Sequence, residues 1–388
     1  MKSKWCQAPF LSILFKKVPG TFCFLLFLSG CSGGESNTVK IGCAAPLTGD
    51  QAQLGIDTCN GVKMAVEEAN EKGIGIPGKK FEVLSLDDQH NPAQAVNVAK
   101  KFVADPTVLA VLGHFNSSCT KPASAIYHEA RLVQLTAVST NPEISKQGFD
   151  TFFRTAATDD VQGPRGAQYA FGALGLRRVF VIDDKTTYGK GLADEFEKAA
   201  RRLGFQMLGH EGITQGDKDF SPLLTKIKPL NPDLIYFGGI YPEGALLIRQ
   251  ARGLGMTTKL MGGDGLANPI FTELASAEIA EGVYATMVGG DMRKVPAAQE
   301  FIKRFEAKYG TMGQWSAYAY DSTNILIAAI KKAAKPDREA VLRAMREMPP
   351  YQGVTGEVAF DEKGDNKNKF IGVFKFEQGN LNYAGPAE

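Results

Sequence analysis

Apolar positions along this chain switch repeatedly between strand-like runs and helical spacing. Val39-Lys40-Ile41-Gly42-Cys43-Ala44 is a short apolar run of the kind buried strands make, and residues 61–72 place Val62, Ala65, Val66 and Ala69 on one helical face. Residues 81–86 predict a strand, 92–104 a helix, 108–112 a strand, 120–130 a helix and 133–137 a strand. The pattern then restarts: strand 179–182, helix 191–203, strand 234–237, helix 243–254, then strands 259–261 and 283–285. Such alternation implies parallel sheets covered on both faces by helices. Two successive sets imply an α/β chain of two similar, doubly wound lobes, with a first crossing near 152–160. Helices at 297–309 and 317–332 follow, and 354–365 reads as a hairpin rather than a third domain.

The first thirty residues follow a different rule. Lys2, Lys4, Lys16 and Lys17 occur with no acidic residue, followed by Phe22-Cys23-Phe24-Leu25-Leu26-Phe27 and then Leu28-Ser29-Gly30-Cys31. Positive flank, short apolar core and small residues are the parts of a secretory signal. The run is too short for a membrane-spanning helix, which takes roughly 20 residues. The Leu-Ser-Gly-Cys order resembles a bacterial lipobox, which implies lipidation of Cys31 and an extracytoplasmic protein tied to a membrane. Ser32-Gly33-Gly34-Glu35-Ser36-Asn37 reads as a tether, and Ser32 in place of Asp carries no signal for retention at an inner membrane.

Composition narrows the class further. A chain of 388 residues with 44% hydrophobic and 22% charged residues is that of a folded protein too long for one ordinary core. Net charge is +2, and without the four leader lysines the remainder carries −2. That balance argues against a nucleic-acid surface. Beyond Cys31 three cysteines remain, Cys43, Cys59 and Cys119. One disulfide with one free thiol and three buried thiols fit equally well.

Two phosphate-loop matches are misleading. Gly73, Gly75 and Gly78 satisfy GxGxxG, but they follow a helix and precede a strand, the reverse of what a dinucleotide turn needs. Lys80 stands where a P-loop needs Ser or Thr. There is no HExxH or GxSxG, and His90, His114, His128 and His210 show no metal spacing. No catalytic centre, metal or cofactor is expected.

The useful constellation lies just past the carboxyl ends of predicted strands, where ligands bind in open α/β sheets. His114-Phe115-Asn116-Ser117 and Val138-Ser139-Thr140 offer donors and a helix start suited to a carboxylate. Tyr188 and Asp264 in the second set offer a hydroxyl and an acceptor for an ammonium. Each alone also reads as capping or turn chemistry.

At these residues the chain resembles the branched-chain amino-acid binding proteins of bacterial ABC importers. The resemblance runs from about Val39 to near the C-terminus. It is most specific at 113–124, 183–192, 212–221, 238–243 and 361–365. It implies a type I periplasmic-binding-protein fold with three crossovers and a ligand cleft. The implied boundaries are leader 1–30, tether 31–38, lobe 1 from 39–158 with 288–366, and lobe 2 from 159–287 with 367–388. It implies Ser117 and Thr140 at the ligand carboxylate, a Val138 carbonyl at the ammonium, and Tyr188 reaching across from the second lobe. Asp264 replaces the usual Glu, and Leu54 and Ile240 replace aromatic residues, which leaves the side-chain preference open. Asn91 and Asn116 occupy the positions of the typical disulfide, so that bridge is not expected. Phe115, Asn116, Ser139 and Trp315 complete the expected site. The expectation is a monomeric, lipid-anchored, periplasmic solute-binding protein that hands an aliphatic amino acid to an ABC permease. A sensory module, or a binder of a short amide, urea or an aromatic acid, is the alternative.

Overall fold

The computed structural model describes residues 37–387; the leader and Cys31 lie outside them. The chain begins as β1 (Thr38–Ala45), α1 (Ala52–Glu71), β2 (Lys80–Asp87), α2 (Pro92–Ala104), β3 (Val108–Gly113), α3 (Ser117–Glu129), β4 (Val133–Thr136) and β5 (Phe152–Arg154). These five strands form one parallel sheet in the order β2-β1-β3-β4-β5. The run Val108–Leu112 is buried throughout, as a central parallel strand covered on both faces must be. Gly113 lets β3 end against β1: with φ +136°, a Cβ there would lie 2.4 Å from the Ala44 carbonyl oxygen.

The chain then crosses to a second unit through α4 (Asp159–Gly172). There follow β6 (Arg178–Asp183), α5 (Thr187–Leu203), β7 (Gln206–Gly212), α6 (Ser221–Ile227), β8 (Leu234–Gly238), α7 (Tyr241–Gly253) and β9 (Lys259–Gly262). Short helices α8 (Ile270–Ala275) and α9 (Ala277–Ala280) lead to β10 (Tyr284–Val288). The chain returns as α10 (Pro296–Tyr309), α11 (Ser316–Ala333) and α12 (Arg338–Arg346), with α11 packed on α1 and the first sheet. A hairpin of β11 (Tyr351–Gly353) and β12 (Gly356–Val358) precedes a last crossing into β13 (Ile371–Glu377) and β14 (Asn380–Pro386). The second sheet runs β14-β13-β10-β9-β8-β6-β7, with β13 antiparallel to both of its neighbours, β10 and β14, and the remaining pairs parallel. Single bridges Arg154–Asp365 and Gly289–Ile371 hold the crossing segments beside one another. The expected two-lobed α/β architecture with three crossings is what the chain adopts.

Several expected elements differ. The helix expected at 61–72 begins at Ala52, because Gly55 and the polar residues around it hide a buried helical face. The segment expected to be a crossing contains the start of α4, whose Pro164, Gly163 and Gly166 mask a helix. The expected hairpin at 354–365 is displaced to β11–β12, and 361–365 is a separate turn closed by the Asp361 N–H donating to the Asp365 carbonyl at 2.8 Å. Strands β7, β13 and β14 were not expected; β7 and β14 are half-exposed edge strands without strong apolar runs. Cys43 and Cys59 form a disulfide between β1 and α1, and Cys119 is a buried thiol, so the first cysteine alternative holds among the described residues. No described helix is long and apolar enough to cross a membrane.

Candidate functional site

The carboxyl ends of β3 and β4 face those of β6, β8 and β9 across one narrow cavity. All ten residues singled out from the sequence line it: Leu54, Phe115, Asn116, Ser117, Val138, Ser139, Thr140, Tyr188, Ile240 and Asp264. Trp315 joins them. Gln51, Tyr241, Gly265, Asn268 and Gln314 also line it and were missed. Gln51 precedes the unread half of α1, while Tyr241, Gly265 and Gln314 each adjoin a residue already marked, so adjacency was the available signal.

The first wall is built by hydroxyls that hold a loop in place. The His114 carbonyl accepts from Thr120, Thr136 and Ser139 at 3.1, 2.9 and 3.1 Å. Ser139 Oγ also reaches the Phe115 carbonyl at 3.0 Å, so its hydroxyl is engaged within the protein. This bracing places Asn116 just before α3 and Ser117 as its first residue. Ser117 Oγ accepts the Asn141 N–H at 3.3 Å, which leaves its proton to donate into the cavity. The Thr140 hydroxyl is buried without a protein partner. Hydroxyl donors beside an α-helix N-terminus suit an anion.

Beneath this wall sits Arg154, fully buried. It donates to the Ser139 and Asn141 carbonyls at 3.0 and 2.8 Å and to Asp365 at 2.6 and 2.9 Å. The guanidinium fork thus fixes the backbone of the Val138–Asn141 loop from below.

The opposite wall carries the acid. Thr186 caps α5 by accepting the Gly189 N–H at 2.9 Å, which sets Tyr188 in the first turn. Gly189 lies so close to β8 that a Cβ would come 2.5 Å from the Gly238 carbonyl oxygen. Tyr188 donates its hydroxyl to Asp264 Oδ1 at 3.2 Å and accepts the Gly265 N–H at 2.9 Å. Burial raises the Asp264 carboxyl to about 6, opposed by hydrogen bonds from Gln162 and Tyr188. An acid held there is mostly ionised at neutral pH and suits a cation. Leu54, Phe115, Ile240, Tyr241 and Trp315 supply the apolar surface between the walls.

Contacts also join the two lobes at the rim. Tyr241 donates to the Asp50 carbonyl at 2.7 Å, Asn141 Nδ2 to the Thr187 carbonyl at 2.5 Å, and Gln215 Nε2 lies 3.0 Å from His90 Nδ1. Asn91 caps α2 by accepting the Ala93 and Gln94 N–H groups, whereas Asn116 stands at the N-terminal boundary of α3 without a side-chain cap bond and donates its amide to Gln51 at 2.9 Å. The His114–Asp88 contact at 2.7 Å, with Tyr127 at 3.1 Å, is sealed in the core. Among the described residues no three His, Cys, Asp or Glu side chains are placed to share a metal ion.

The chain is similar to known proteins along most of its length. A family profile described as periplasmic binding protein matches residues 38–378. The Leu/Ile/Val-binding protein homolog 1 of Brucella abortus (strain 2308) is 38% identical over 341 residues, covering 88% of this chain and 91% of that protein. Among solved structures, the leucine-binding protein LivK of Thermotoga maritima superposes with a TM-score of 0.83 at 31% identity, covering 90% of this chain and 98% of that one. The branched-chain amino acid transporter substrate-binding protein LivJ of Streptococcus pneumoniae, solved with isoleucine, gives 0.82 at 29% identity over 90% and 100% of the two chains.

Proposed function

Because the chain belongs to the periplasmic binding protein family, we propose that it is the solute-binding lipoprotein of an ABC importer. It takes up a small aliphatic α-amino acid between its lobes and delivers it to a membrane permease. Ser117, Thr140 and the start of α3 receive the carboxylate, the Val138 carbonyl and Asp264 receive the ammonium, and Tyr188 orients Asp264. The carrying observation is one cavity with the Ser117 and Thr140 hydroxyls on one lobe and the buried Asp264 on the other. A zwitterion spans those walls and stabilises the closed state by as much as it binds that state better. The apolar wall of Leu54, Phe115, Ile240 and Trp315 then grades side chains, and a methylene there discriminates by about 1–3 kcal/mol, so several related amino acids bind. Cys31 carries the lipid that keeps the protein near its permease, and the protein acts as a monomer outside the cytoplasm.

The test is calorimetry with leucine, isoleucine, valine, short amides, urea and benzoate. The aliphatic amino acids should bind, and Asp264→Ala should weaken them by about 100-fold or more, the loss expected when an ammonium loses a buried charged partner, with the melting transition retained. Tight binding of an amide without any amino acid would overturn the ligand; unchanged affinity in the variant would remove Asp264 from the site.

A further inference from the structure

We propose that this cleft exchanges a proton for its ligand: Asp159, a buried acid beside Thr140 and Asp264, is neutral in the free protein and ionises when an ammonium settles at Asp264. The inference rests on the amino-acid reading above.

Asp159 is the first residue of α4 and has no solvent exposure. Its N–H donates to the Thr140 carbonyl at 3.0 Å, which ties it to the residue whose hydroxyl lines the cavity. Neither of its carboxyl oxygens accepts a hydrogen bond of normal geometry; the Thr140 hydroxyl approaches without reaching one. The side-chain oxygens of Thr140, Thr158, Gln162 and Tyr236 are likewise buried without partners. Asp159 therefore sits in a buried polar cluster with no hydrogen bond to either carboxyl oxygen, and the nearby Thr140 hydroxyl and Arg154 offset only part of the cost of a charge there.

The charged groups near it are few. Asp264 faces it from the turn after β9, and Asp160 follows it on α4; both repel a second negative charge. Arg154 approaches from β5, but its guanidinium is committed to Asp365, Ser145 and two carbonyls. Tyr188 and Tyr236 share the field of both acids and are pushed up, chiefly by burial, so they stay neutral. Burial first and Asp264 second hold the Asp159 carboxyl well above the ordinary range.

An ammonium at Asp264 changes this balance. It cancels the repulsion from Asp264 and adds an attraction, while the start of α4 supplies a favourable helix dipole. The Asp159 O–H bond breaks, the electron pair stays on the carboxylate, and the proton passes to solvent. A zwitterion of zero net charge enters and one proton leaves.

Titration calorimetry with L-leucine at pH 8, in HEPES and in Tris, reads this directly. At that pH Asp264, at about 6, is already ionised, so protons released come from Asp159. The dependence of the observed heat on buffer ionisation should give about one proton per leucine bound, and Asp159→Asn should reduce it to none. Should that variant not fold or bind, NMR of wild-type protein with carboxyl-13C aspartate reads the same event as one buried resonance moving from its protonated to its ionised position. Leucine binding without proton release, or an Asp159→Asn protein that releases as many protons as wild type, overturns the inference alone. No leucine binding at all overturns the ligand reading and the inference with it.

Discussion

Tyr188 and Asp264 stand on different elements of the second lobe, yet the tyrosine hydroxyl lies 3.2 Å from Asp264 Oδ1 while it accepts the Gly265 N–H at 2.9 Å. One hydroxyl therefore fixes both the acid and the turn that carries it. Tyr188→Phe removes that link and leaves the ring. The expected loss in leucine affinity is about tenfold, the weight of one hydrogen bond to a charged group, with little change in melting temperature. Calorimetry checks it, and unchanged affinity would show that the backbone alone orients Asp264.

Ile240 lines the apolar part of the cavity immediately before α7. Ile240→Ala opens space there. Leucine should bind about tenfold more weakly, in line with about 1–3 kcal/mol for lost apolar contact. Phenylalanine or methionine should gain relative to leucine. A variant that keeps the wild-type ranking across the panel would place the side-chain pocket elsewhere.

Arg154 is not itself among the residues lining the cavity, but its side chain holds the Ser139 and Asn141 carbonyls of the loop that is. Arg154→Met leaves Asp365 buried and short of its partner and frees the Ser139 and Asn141 carbonyls. Urea unfolding should show a loss of about 3–5 kcal/mol. Arg154→Lys should recover little of it, since an ammonium cannot reproduce the fork. Full rescue by lysine would reduce the role of Arg154 to charge alone.

His210 bridges Asp183 at 3.0 Å and Glu197 at 2.5 Å, on β6 and α5. The bond to Asp183, then that to Glu197, raises its value above the ordinary 6.5 despite burial. A raised folded value means the stabilisation is complete below the unfolded value and fades as pH rises through the folded one. The melting-temperature gap between wild type and His210→Gln should be largest at pH 6 and shrink toward pH 9. A gap that widens with pH would show the histidine to be neutral in the fold.

The site was more legible than its surroundings. Polar residues after apolar runs mark the ends of parallel strands, which draws attention to Ser117, Thr140 and Asp264, while their expected roles come from the family resemblance. Gln51 did not, because the first half of α1 is polar and contains Gly55. Asp159 did not, because α4 carries Pro164 and reads as a crossing. Strands β7 and β14 were missed for a related reason: edge strands keep one side in water and lack the continuous apolar run that marks β3.

The sequence by itself determined the two α/β lobes and the residues at their strand ends, because burial on both faces demands apolar runs and strand ends demand caps and turns. Tertiary structure decided what those residues do to one another. Only the fold brings Asp365 under Arg154 across 211 positions, pairs Cys43 with Cys59, and sets Tyr188 against Asp264. It also encloses Asp159 without a donor for either carboxyl oxygen. Such effects depend on distance and on exclusion of water, and neither quantity is written in local spacing.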